Sequence, residues 1–141
     1  MMEFEVKAVE AKLGKLKGQT VYMAVPKTAS RATSRQLEDY IINATSLARG
    51  DVRNALTSLA EFVNNQLAMG TAIELGDLGM IKPVVNSRQM TDPKEVSAAT
   101  LKKPLIRFYP KQEMQQAVNR VRVKVDNQYT KEVTESTPEE P

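Results

Sequence analysis

The sequence predicts an α+β fold, and three observations carry that reading. Two stretches place apolar residues at helical spacing and are separated by only a few residues. Several short runs rich in β-branched and aromatic residues alternate apolar with charged positions. Glycine and proline mostly fall between these blocks rather than inside them. At 141 residues, 41 % hydrophobic and 26 % charged, the chain suits one domain with a buried core.

FEVKAV alternates Phe4, Val6 and Ala8 with charged residues and reads as a strand. Gly14 and Gly18 bracket a basic turn, GKLKG. VYMAV, residues 21 to 25, is β-rich and stopped by Pro26. An N-terminal hairpin is expected over residues 1–26. Val9, Leu13 and Leu16 also fit helical spacing, so a short helix is the competing reading. KTASRATS is a polar linker. Thr33 with Gln36 three residues on forms a capping box, so a helix should start near Ser34, with Leu37, Tyr40, Ile41 and Ala44 marking one apolar face. A second helix is expected from near Asp51, with Val52, Leu56, Leu59, Val63 and Leu67 as its stripe and Gly70 as its stop.

AIELGDLGMIKP follows. Two glycines around Asp77 and Leu78, between apolar runs, mark a tight hairpin. The next strand should run through Val84 and Val85. Residues 86–103 are polar, without helical period, and read as an excursion from the core. LIRFY, residues 105–109, returns as a strand. Pro110 suits a helix N-terminus, and Met114, Ala117, Val118 and Val121 mark a last short helix. VRVKV alternates as a terminal strand.

Charge is divided unevenly. Residues 126–141 hold five acids and one lysine, net −4. Residues 1–125 hold 19 bases and 12 acids, net +7. The basic body suits a polyanionic partner. The acidic, proline-containing tail is expected to be disordered. Cysteine and histidine are absent, which excludes disulfides, thiolate nucleophiles, zinc fingers and histidine-dependent triads. The carboxylates Glu74, Asp77 and Asp92 lack metal-ligand spacing, and no nucleophile has a base beside it. No enzyme activity, cofactor, metal or small-molecule substrate is expected. No apolar run approaches the roughly 20 residues of a membrane helix, and the mixed-charge start MMEFEVKAVEAK predicts no signal peptide. Arg49-Gly50-Asp51 and the sequon Asn43-Ala44-Thr45 read as chance matches within helical segments.

The order helix, helix, glycine hairpin, polar excursion, strand, short helix resembles the bacterial histone-like HU and integration host factor family. SLARGDVRNALTSLAEFVNNQLAMGTAIELGDLGMI is similar to that family's second helix and the Gly-aromatic-Gly turn after it. Asp77 stands at the first glycine, Leu78 at the aromatic residue and Gly79 at the second glycine. FYPKQEMQQAV resembles the closing pattern, with Phe108, Met114 and Val118 on its apolar positions. The resemblance covers roughly residues 33–120, with the N-terminal hairpin as an addition.

The resemblance implies an intertwined homodimer, with a helical-hairpin base, a β-sheet saddle, β-arms over residues 86–103 and a short C-terminal helix. It implies sequence-tolerant binding of double-stranded DNA by a cytoplasmic, nucleoid-associated architectural protein, with residues 1–125 as the DNA-binding domain. Arg88, Lys94, Lys102, Lys103, Arg107 and Lys111 become phosphate contacts. Ser34 and Arg35 become contacts at a helix N-terminus. Pro93 falls near the family's wedge position, where the Asp92-Pro93 dipeptide would equally serve as a plain turn. Arg49 and Arg53 are expected to face solvent or an acidic partner. The alternative function is a non-catalytic structural or protein-interaction module that has lost DNA binding. The weakly basic arm, net +2, and the acidic tail favour it.

Overall fold

The computed structural model describes residues 1–137. Its elements in chain order are β1 (Met2–Glu10), β2 (Thr20–Pro26), α1 (Ser34–Ala44), α2 (Arg49–Ala68), β3 (Ile73–Glu74), β4 (Gly79–Val84), β5 (Leu105–Pro110), α3 (Gln112–Asn119), β6 (Val123–Asn127) and β7 (Glu132–Ser136). Among the described residues the fold is therefore α+β, with three α-helices and two sheets. The chain divides into two compact units. One comprises Met1–Ala32 with the chain from Gln115 onward, and the other is Thr33–Met114.

The first unit is a four-stranded mixed sheet in the order β2-β1-β6-β7. β1 pairs antiparallel with β2, from Phe4 opposite Pro26 to Glu10 opposite Thr20. On its other side β1 pairs parallel with β6, from Met2 opposite Val123 to Glu5 opposite Asp126. Beyond the end of β6, the Gln128 side-chain amide takes over, donating to the Val6 carbonyl and accepting from its N–H. Tyr22 and Tyr129 meet edge to face, with ring centroids 5.2 Å apart.

The second unit begins with a helical hairpin. Thr33 Oγ1 accepts from the Gln36 N–H at 3.2 Å, and Gln36 Oε1 accepts from the Thr33 N–H at 2.9 Å, so α1 starts at Ser34 with its capping box closed. α2 starts at Arg49, a residue pair earlier than its apolar stripe suggests. Asp51 Oδ2 reaches back to the Ala48 N–H at 3.3 Å and fixes that earlier start. At the other end Gly70, with φ of 75°, lets Thr71 N–H reach Gln66 O and Gly70 N–H reach Leu67 O, which satisfies two of the last carbonyls.

A three-stranded antiparallel sheet, β3-β4-β5, follows. The Leu75–Leu78 turn joins β3 to β4, closed by Leu75 N–H to Gly79 O at 2.7 Å. Gly79 is buried at φ of 145°, and a Cβ there would stand 2.2 Å from the Tyr109 carbonyl oxygen. The glycine is thus required by the close approach of β4 to β5 within one chain.

Three expectations change. Pro110 closes β5 rather than opening a helix, and α3 starts at Gln112. Residues 126–136 are ordered in strand and turn where disorder was expected. Asn127 Oδ1 accepts from the Tyr129 and Thr130 N–H groups, Lys131 takes a positive φ, and β7 pairs with β6. Composition alone missed this Asn-initiated hairpin, in which Glu135 stands opposite Lys124. The last residues of the expected tail, 138–141, lie outside the described residues. The competing N-terminal helix does not form, because Phe4, Val6 and Ala8 follow strand rather than helix periodicity.

Candidate nucleic-acid interface

The β4–β5 ladder runs from Gly79 opposite Pro110 to Val84 opposite Leu105. Side chains alternate across a sheet, so Ile81, Pro83, Ile106 and Phe108 share one face. Ile73 belongs to it as well, opposite Ile81 and only 4 % exposed. The other face carries Met80, Lys82, Val84, Leu105, Arg107 and Tyr109. Lys82 stands directly opposite Arg107 on it. Both are exposed, and neither belongs to any of the ion pairs among the described residues. Like charges directly opposed destabilise a ladder.

Beyond Val84 the ladder continues with a shift. Ser87 bridges Leu101, Lys102 N–H donates to Asn86 O at 2.8 Å, and Arg88 N–H donates to Thr100 O at 2.9 Å. Two residues, Val85 and Asn86, therefore face three, Lys102, Lys103 and Pro104, which is a β-bulge on the returning strand. A bulge re-aims the chain, and here it holds two lysines and a proline that has no N–H to leave unpaired.

The excursion is not a long ribbon. It condenses into two 3-10 turns, Pro93–Glu95 and Ala98–Thr100. Asp92 Oδ1 accepts from the Lys94 N–H at 3.0 Å, so Asp92 caps the first turn with Pro93 in its opening position. That geometry places Pro93 at the start of a capped turn. Thr100 is buried, and its hydroxyl donates to Ser97 O at 2.8 Å. Arg88, Pro93, Lys94, Lys102 and Lys103 are all exposed. Lys111 is exposed too, and its N–H donates to Leu78 O at 3.0 Å, tying the start of α3 to the glycine turn.

The helix ends divide differently. Ser34 and Arg35 open α1, where the capping box already uses one free N–H, and Arg35 also acts electrostatically on Asp39. Arg49 and Arg53 face an acidic partner inside the chain. Arg49 Nη1 donates to Glu38 Oε2 at 3.0 Å, Arg53 Nε donates to Glu38 Oε1 at 2.6 Å, and Arg49 Nη2 also bonds Asp39. The Glu38 side chain is only 8 % exposed. The bond from Arg53, with help from Arg49, holds its carboxyl below the ordinary 4.5 against the opposing effect of burial. The Arg49 bond likewise holds Asp39 below 3.8. This cluster pins α1 to α2.

From Gly79 to Lys111 the chain carries seven basic residues against two acids, net +5. One of the two acids, Asp92, is engaged as a cap. Lys82 is the basic residue that sequence reading missed. Its signal was the alternation Met80, Lys82, Val84, which places it on the face opposite Ile81. Among the described residues no group of three or more acidic side chains could hold a metal, and no helix is long and apolar enough to cross a membrane. The arrangement offers a chemistry of charge and shape: a basic sheet face continued by a bulged, lysine-bearing strand.

A family model described as "HU domain fused to wHTH, Ig, or Glycine-rich motif" matches residues 2–125. No curated protein matches the chain. Among solved structures, one described as a "Putative bacterial DNA binding protein" from Bacteroides vulgatus ATCC 8482 is similar at a TM-score of 0.51 and 14 % identity, over 89 % of this chain. The chain spans about half of that protein's length, 48 %.

Proposed function

The chain belongs to the family of HU domains fused to wHTH, Ig or glycine-rich motifs, and from that premise we propose that it binds double-stranded DNA with little sequence preference, as an architectural protein of the bacterial nucleoid. The observation that carries this reading is the opposed, unneutralised pair Lys82 and Arg107 on an exposed sheet face. Lys102 and Lys103 in the bulge, Arg88, Lys94 and Lys111 extend the same charge and supply further phosphate contacts. Ser34 and Arg35 add a contact at the start of α1, and Pro93 shapes the turn of the excursion. Recognition runs through backbone phosphates and duplex deformability. The similar solved structure, described as DNA binding, supports the reading.

The binding form is a homodimer in which the sheet faces make a saddle. Among the described residues, only Val52 and Ile73 are fully buried apolar residues. Leu59, Phe62 and Leu78 remain 43 %, 54 % and 50 % exposed around an apolar hollow of about 300 Å³ that Ile73 and Leu75 also line. Every residue of β5 is exposed in the single chain. Obligate interfaces resemble a core cut in half, and a second copy supplies the missing half.

The test is a fluorescence-anisotropy titration of mixed-sequence duplex across a salt series. Binding that weakens linearly in log salt and is shared by unrelated sequences supports the proposal. No binding at low salt, or dependence on one sequence, overturns it.

A further inference from the structure

A second basic element lies apart from the β4–β5 face. The β1–β2 connection, residues 11–19, carries Lys12, Lys15 and Lys17 and no acid. All three lysines are exposed and none is ion-paired among the described residues. Leu13 stands between them 86 % exposed, more than any other large apolar residue described, and Leu16 is 53 % exposed.

This tip is built rather than loose. Ala11 N–H donates to Gln19 O at 3.0 Å and Gly18 N–H donates to Ala11 O at 2.9 Å. Lys17 N–H donates to Gly14 O and Gln19 N–H to Leu16 O. Gly14 and Gly18 take positive φ of 80° and 84° to close it. A single exposed leucine is ordinary. A leucine held out at the end of a hydrogen-bonded hairpin and flanked by lysines does no packing within its own unit.

We propose that the β1–β2 tip is a second duplex-DNA contact, with Lys12, Lys15 and Lys17 on phosphates and Leu13 directed into the minor groove. The inference rests on the DNA-binding reading above. Charge complementarity selects a polyanion, and apolar side chains flanked by bases are a recurring way to enter the minor groove. Two consequences follow. The tip adds to the salt dependence, and Leu13 favours duplex that is already kinked or nicked.

The experiment is acetylation of the full-length protein with and without mixed-sequence duplex, read lysine by lysine by mass spectrometry. The tip inference expects protection of Lys12, Lys15 and Lys17 together with Lys82. Replacing the three tip lysines by glutamine should make the slope of log K against log salt shallower by up to about 2.7, at roughly 0.9 per phosphate. Leu13→Ala should reduce the preference for nicked over intact duplex. Protection of Lys82 without the tip lysines, with an unchanged slope in the triple variant, overturns the tip contact and leaves the main reading standing. Failure of the unmodified protein to bind duplex overturns both. Protection of the tip by anionic phosphatidylserine vesicles but not by DNA assigns the tip to a membrane surface and overturns the inference.

Discussion

Lys82 and Arg107 face each other across the β4–β5 ladder with no carboxylate between them. Such a pair costs the folded chain stability, a cost that bound phosphate offsets under the proposed function. Lys82→Glu should therefore act in opposite directions on folding and on binding. The new cross-strand ion pair should stabilise the protein by roughly 0.2–1 kcal/mol in urea denaturation, while duplex binding weakens. A variant that loses stability together with binding would show that Lys82 is held by contacts within the fold.

Gly79 separates the two glycines of the turn by their physical jobs. At Gly79 both the backbone, φ of 145°, and the Tyr109 carbonyl oxygen, 2.2 Å from where a Cβ would stand, exclude a side chain. Gly79→Ala should cost roughly 1–3 kcal/mol from backbone strain alone, with the clash added. Gly76, at φ of 56° in open space, should accept Asn with a much smaller loss, because Asn visits that region readily. Equal losses at the two positions in denaturant titrations would contradict this account of the turn.

The Glu38 cluster makes the helical hairpin sensitive to acid. Glu38 and Asp39 have folded values below their ordinary 4.5 and 3.8. Their contribution is therefore complete above the ordinary values and is lost as pH falls through the lowered ones. The melting temperature should drop as pH falls below about 4.5. Glu38→Gln should melt lower at neutral pH and show a flatter acid limb. An acid limb as steep as that of the unsubstituted protein would place the acid sensitivity elsewhere.

The exposed apolar residues Leu59, Phe62 and Leu78 predict the dimer. Light scattering at micromolar concentration should give twice the 15.7 kDa chain mass. Phe62→Asp should abolish the dimer and, with it, cooperative unfolding. A stable, folded monomer of the unsubstituted chain would contradict the shared core.

Local signals were legible in the sequence and long-range ones were not. Thr33 and Gln36 mark the start of α1 because a capping box acts within four residues. Gly70 marks the end of α2 because its positive φ is a local demand. The ion pairs of Glu38 with Arg49 and Arg53 join two helices across eleven and fifteen positions, and no single-helix period reveals them. Lys82 opposite Arg107 depends on strand register, which closes over the whole excursion. The hairpin at Asn127 was hidden by the acidic composition around it. The two 3-10 turns rest on the small caps Asp92 and Ser97, which polar composition alone cannot separate from an extended arm.

The central claim is that the Lys82–Arg107 face binds the duplex backbone, and the salt slope of a double variant tests it most directly. Lys82→Gln with Arg107→Gln should bind mixed-sequence duplex more weakly, whatever its sequence. Its slope of log K against log salt should be shallower by about 1.8, for two phosphates released at roughly 0.9 each. A double variant that keeps the slope and affinity of the unsubstituted protein would contradict the account.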